Sequence, residues 1–226
     1  MPRLATAIVL AALLVGASAA RAQFGGSVGI ETDRRFRGVS ISDEKPAAHV
    51  SLDWDSPAGW YAGAQIGNAA LEPGDHQAEL LGYAGYAGRT PAGAGWELGL
   101  TATHFSGEGG YDYAEFYAGL VAPRWSARVY LSPDYFGRST RSAYLEFNGS
   151  MALPMTTLRA VGHAGVLLRS GDGVQSAAYD GRLGLALDVD ALRLQLAWVG
   201  SSLSGADPAL YGQRRSTVVL SAVWVF

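Results

Sequence analysis

Apolar and polar residues alternate along most of this chain with a period of two. In AHVSLDWD, Ala48, Val50, Leu52 and Trp54 share one face, and His49, Ser51, Asp53 and Asp55 share the other. After the turn SPAG, Trp60, Ala62, Ala64 and Ile66 oppose Tyr61, Gly63, Gln65 and Gly67. The pattern returns in WELGLTATH, where Trp96, Leu98, Leu100 and Ala102 oppose Glu97, Gly99, Thr101 and Thr103. It returns again where Leu192, Leu194, Leu196 and Trp198 oppose Arg193, Gln195, Ala197 and Val199. Successive side chains of a strand point to opposite sides, so the pattern predicts strands whose faces meet different media. Twelve strands are predicted, with cores at 27–38, 47–55, 60–68, 77–88, 96–104, 113–121, 125–132, 142–152, 157–167, 179–188, 192–200 and 216–226.

An even count returns both chain ends to one side, as closed bacterial barrels require. The connectors alternate as well. SPAG, TPAGAG, the turn at Pro123, LPMT and VDA are mostly short, whereas 39–46, 69–76, 105–112, 133–141, 168–178 and 201–215 are mostly longer. Short periplasmic turns and longer extracellular loops produce such an alternation. The expected fold is all-β: a closed antiparallel transmembrane β-barrel of twelve strands.

Composition sharpens this picture. Charged residues make up 16% and hydrophobic residues 49% of the chain, against about 25% charge in ordinary soluble domains. No stretch of the expected mature chain resembles a membrane-spanning helix, which needs about 20 apolar residues. Trp54, Trp60, Trp96, Trp125 and Trp224 all fall on the lipid-side parity, each at a strand end beside a short turn or the C-terminus. An aromatic girdle at the periplasmic-side interface places tryptophans in that way. A soluble β-sandwich also alternates, but gives its tryptophans no reason to gather at one end.

The first residues read as an address. Arg3, the apolar run Leu4 to Val15 and the small-x-small pattern Ala20, Arg21, Ala22 have the layout of a signal peptide over residues 1–22, leaving 23–226 as the barrel. Cleavage after Ala22 leaves 204 residues with 15 basic and 20 acidic side chains, a formal charge of −5. Nucleic-acid binding normally needs the opposite balance. Cysteine is absent, which excludes thiol nucleophiles and thiolate metal sites.

The segment RRFRGVSISDEKPA, Arg34 to Ala47, carries a more specific signal. With WYAG at Trp60–Gly63, YDYAEFYAGL at Tyr111–Leu120 and the terminal phenylalanine, it resembles the proteobacterial TorF family, outer-membrane barrels classed as porins. The likeness covers essentially the whole mature chain and implies a porin-like role in the outer membrane of a Gram-negative cell. Members of that family usually carry an aromatic residue where this chain has Arg34. The last strand, STVVLSAVWVF, sets Val218, Leu220, Ala222, Trp224 and Phe226 on one face. Its terminal Phe226 resembles the signal read by the barrel-assembly machinery.

The inward parity collects charges of both signs. Glu31, Asp33, Asp53, Glu79 and Glu97 are acidic lumen candidates, with Glu115, Glu146, Asp180 and Asp188. Arg35, Arg37, Arg128, Arg159, Arg182 and Arg193 are the basic ones. Placing such a set against hydrocarbon is prohibitively costly, so it belongs to the lumen. Two readings follow: a pore giving passive or weakly selective passage to small hydrophilic solutes, or a non-conducting structural or interaction barrel held by ion pairs. The oligomeric state stays open, since lipid and a partner barrel select the same apolar exterior.

Other chemistry finds less support. The SDEKP fragment, Ser42 to Pro46, reads as a structured extracellular loop, because the adjacent carboxylates Asp43 and Glu44 do not define a coordination shell. His104 and Ser106 have roughly the parity and position of an outer-membrane lipid hydrolase, but no orienting carboxylate is evident on their face, and Asn148 lies on a distant strand. His49 and His163 read as lumen hydrogen-bonding groups. The glycine-rich GYAGYAG and GAGWELG lack a nucleotide-binding context and read as sites of close strand contact. No catalytic residue, metal site or cofactor is expected; the expected partners are outer-membrane lipid, the assembly machinery and small solutes.

Overall fold

The computed structural model describes residues 23–226 except 73, 92, 108, 172–173 and 204–214. The leader expected over 1–22 lies outside the described residues. The elements are β1 (Gln23–Glu31), β2 (Arg35–Phe36), β3 (Val39–Ser40), β4 (Ala47–Asp55), β5 (Trp60–Ala69), β6 (Gln77–Arg89) and β7 (Gly95–Phe105). They continue with β8 (Tyr113–Ala122), β9 (Trp125–Ser132), a short 3-10 turn (Tyr135–Gly137) and β10 (Arg141–Ala152). The chain ends with β11 (Leu158–Gly171), β12 (Val174–Val189), β13 (Leu192–Ser201) and β14 (Ser216–Val225). Twelve of these strands, β1 and β4 to β14, form one closed barrel, while β2 and β3 form a separate two-stranded hairpin.

Each barrel strand pairs antiparallel with its neighbour, and β14 returns to β1 with Trp224 opposite Val28. Gly26 and Phe226 exchange two backbone hydrogen bonds of 2.9 Å beside that seam. The sheet thus closes on itself, and among the described barrel strands none is left as a free edge, the condition for crossing lipid with strands.

The faces of the sheet are inverted relative to a soluble protein. Outward Leu183 is 68% exposed, whereas Glu115 on the inside is 3% exposed. Leu52, Ile66, Leu100, Leu145, Leu196 and Leu220 belong to the same exposed apolar exterior. This is the arrangement expected where hydrocarbon, rather than water, covers the outer face.

Two sequence expectations need correction. The first strand ends at Glu31 instead of reaching residue 38, and the segment 32–46 carries the β2–β3 hairpin. Arg37 and Gly38 occupy its two-residue turn with φ of 48° and 76°, the positive values of a tight hairpin turn. Asp33, Arg35 and Arg37 are therefore residues of this segment and not of a barrel strand. A short hairpin alternates like a long strand, which is why periodicity merged the two. The second correction concerns 168–178, expected as a loop: β11 and β12 extend to Gly171 and Val174 through it.

The glycines find a structural use inside the barrel. Gly63, Gly85 and Gly99 lie opposite Tyr83, Tyr61 and Tyr117 on neighbouring strands, and a Cβ at any of the three would collide with the facing ring. The missing side chain makes room for a tyrosine lying across the strand. Gly99→Val is expected to destabilise the barrel by about 1–3 kcal/mol through overpacking. Gly82→Val, where nothing lies within 4 Å of the added atom, provides the neutral comparison in urea titrations of the lipid-folded protein.

A packed core fills part of the lumen on the extracellular side. Ile41, Leu71, Phe105, Tyr111, Tyr113, Tyr135, Tyr144 and Leu167 are buried together there, with Phe36, Tyr130 and Phe136 against them. Phe136 is the hub, with ring centroids 4.7 Å from Tyr113, 4.8 Å from Tyr135, 6.0 Å from Phe105 and 6.1 Å from Phe36. Its φ of 55° is a left-handed conformation, costly for a non-glycine residue and held here by the surrounding rings.

Candidate functional site: the lumen and its inward-folded segment

The wall charges are organised by the strands that carry them. Arg128 on β9 donates to Glu97 on β7 at 2.5 Å and lies 3.4 Å from Glu146 on β10. Tyr61 and Tyr117 share a 2.7 Å hydrogen bond, and Tyr61 donates to Glu97 at 3.3 Å. Tyr83 donates to Asp53. Asp180 accepts from Tyr144 at 3.1 Å and stands 2.8 Å from His163, whose other nitrogen meets Asn148 at 2.8 Å. Near the periplasmic end, Asp188 lies between Arg193 at 2.6 Å and Arg159 at 3.6 Å. Arg182 faces the cavity within electrostatic reach of Glu31.

The segment 32–46 reaches into this lumen and is braced internally. Arg35 donates to Asp33 at 2.7 Å and to the Gly38 carbonyl at 2.9 Å, while Ser40 donates to Asp33 at 2.7 Å. Two further arginines fasten the segment to the wall. Arg34 pairs with Glu79 on β6 and lies 3.9 Å from Glu31 on β1. Arg37 donates from Nη2 to both oxygens of Glu115 on β8, at 2.9 and 2.7 Å. At the outer rim, Asp43 accepts from Lys45 at 2.7 Å and from the Gly74 amide at 3.3 Å, tying two extracellular connectors. The Lys45 ammonium holds the Asp43 carboxyl below the usual carboxylate range.

Beneath the segment lies a cavity of about 740 Å³. It is bordered above by Arg34, Arg37 and Gly38, laterally by Tyr130, Tyr144, His163 and Arg182, and below by residues 121–126 at a periplasmic turn. Its wall mixes apolar surface with charged and hydroxyl side chains, among them Glu79, Glu115, Arg128, Glu146, Asp180 and Arg182, and a polar lumen is what passes hydrated solutes.

Sequence parity identified most of these wall residues, but not all of their partners. Arg34 would have faced lipid in a strand running to residue 38, and is instead 8% exposed inside the barrel. His49 comes within 3.8 Å of Glu31, and its Nδ1 has no hydrogen-bond partner among the described residues.

The hydrolase candidates come out differently from expectation. His104 does have a carboxylate neighbour, Asp112, at 2.6 Å. Ser106 Oγ, however, accepts from the Ala78 amide at 2.8 Å, and Asn148 lies in the lumen beside His163. The three are not assembled as a triad. Among the described residues, no three His, Asp or Glu side chains converge as a metal site.

On the outer face, Trp54, Trp60, Trp96 and Trp125 stand at strand ends by periplasmic turns, and Trp224 stands near the C-terminus. Trp60, Tyr86 and Trp96 form a ladder with centroid separations of 5.1 and 5.7 Å. The Phe226 ring lies over Gly26, where a Cβ would meet it at 2.8 Å.

The family model for the bacterial proteins of unknown function called Gcw_chp matches residues 16–226. The chain belongs to the Gcw_chp family. That description does not carry the TorF name suggested by the Arg34–Ala47 segment. No curated protein matches the sequence. Among solved structures, a KdgM porin superposes with a TM-score of 0.58 at 11% identity, over 89% of this chain and 99% of its own. A KdgM porin in complex with disordered oligogalacturonate gives 0.56 at 9% identity, over 90% and 99%. The outer membrane protein Omp33 of Acinetobacter baumannii gives 0.53 at 10% identity, over 91% and 98%. At these identities the likeness speaks to the fold. This member of the Gcw_chp family is an outer-membrane β-barrel of porin-like architecture.

Proposed function

We propose that this barrel is a porin of TorF type, passing small hydrophilic solutes across the outer membrane, with the segment 32–46 as its constriction. The observation that carries the reading is the cavity of about 740 Å³, set with charged side chains, between that segment and the periplasmic turn at 121–126. A wall of charged and hydroxyl side chains has little value in a barrel filled for stability alone, where apolar packing serves better. Liposomes containing the refolded protein should swell in isotonic sugars, with rates falling steeply as solute size increases. Swelling equal to that of protein-free liposomes would sink the proposal.

The buried aromatic cluster around Phe136 favours a second reading, a barrel closed at its outer end that serves structure or interaction. The same swelling experiment separates the two. In either reading, the five tryptophans act as the periplasmic-side girdle and Phe226 as the assembly signal. Phe226→Ser is expected to lower the amount of heat-modifiable barrel in outer-membrane fractions several-fold. An unchanged amount would remove that role from the residue.

A further inference from the structure

Arg37 is held as a binding site holds a ligand. Its guanidinium carbon lies 4.1 Å from the ring centre of Tyr144, 4.6 Å from Phe36, 5.2 Å from Tyr135 and 5.6 Å from Tyr130. Nη2 supplies both hydrogen bonds to Glu115, while Nε and Nη1 have no hydrogen-bond partner among the described residues. Ring faces attract a cation without satisfying its N–H groups, and a carboxylate supplies the directional contact.

Three of the five partners belong to the barrel wall. Glu115, Tyr130 and Tyr144 lie on the consecutive strands β8, β9 and β10, and all three border the cavity. Phe36 travels with the segment, and Tyr135 belongs to the connector between β9 and β10. The wall therefore carries most of the cage whether or not the segment is docked.

We propose that Glu115, Tyr130 and Tyr144 form a recognition site for a solute bearing a guanidinium group, and that Arg37 is its tethered occupant, displaced when the solute binds. Glu115 selects this class over quaternary ammonium ions, which have no N–H to donate. A tethered arginine competes at a local concentration in the millimolar range or above, so the intact protein takes the free solute weakly and the site becomes open when Arg37 is removed. The solute's route to the cage rests on the porin reading, whereas the affinity of the cage does not.

The test is calorimetric titration of low-millimolar guanidinium chloride into refolded Arg37→Ala protein in detergent micelles, with folding verified by heat-modifiable gel mobility. Saturable binding is expected, weaker by about tenfold in the Arg37→Ala, Glu115→Gln double variant and in the intact protein. Tetramethylammonium should not bind. Arg37→Ser, which keeps a polar group at the turn, gives the same readout if the alanine variant does not refold. Absence of saturable binding to the folded variant would overturn the inference, as would binding indifferent to Glu115→Gln or equal in the intact protein. No conductance enters this measurement, so a closed barrel that binds guanidinium defeats only the porin reading, and a conducting barrel that does not bind it defeats only the cage.

Discussion

Replacing Arg34 and Arg37 together by alanine should raise the single-channel conductance of the refolded barrel several-fold. These side chains fasten the segment 32–46 to Glu79 on one part of the wall and to Glu115 on another. Removing one partner of a buried ion pair costs about 3–5 kcal/mol, because it strands the remaining charge. The segment can escape that penalty by leaving the lumen, which lets Glu79 and Glu115 hydrate. A bias of that size moves a two-state equilibrium by a factor of about 150 to 5,000. The barrel hydrogen bonds are untouched, so the protein should still fold into lipid. Unchanged conductance in the folded double variant would mean that the segment is not the constriction.

The second large effect belongs to the outer face. Leu196 lies in the middle of β13, 53% exposed, between the outward Leu185 of β12 and Leu220 of β14. Leu196→Arg should cost about 2–4 kcal/mol of folding stability in lipid vesicles, as a charge facing the bilayer midplane does. Gln195→Arg, one residue earlier and facing the cavity, should cost less than about 1 kcal/mol. Equilibrium urea titrations compare the two. Equal penalties would contradict the assignment of the two faces.

Period-two alternation made the barrel legible because each strand separates lipid from lumen along nearly its whole length. Outward Leu98 and Leu100, alternating with inward Glu97 and Thr101, show how directly the medium is written into the residues. The inward-folded segment was not legible from that pattern. Arg35 and Phe36 alternate as strand residues do, and no periodicity states that a hairpin turns at Arg37 and Gly38 into the lumen. Ion pairs across the lumen were hidden as well. Arg34 and Glu79, 45 positions apart in the chain, meet only after the barrel closes and the segment folds inward. The glycine count was legible as close strand contact, but the particular tyrosine over each glycine follows from cross-strand register.

The most direct test is the conductance of the intact protein in planar bilayers, recorded beside the Arg34→Ala, Arg37→Ala variant. A porin constricted by the segment 32–46 predicts small, reproducible current steps from the intact barrel and larger ones from the variant. Absence of steps from both, with each verified as folded, would contradict the account and leave a closed barrel whose lumen carries no solute.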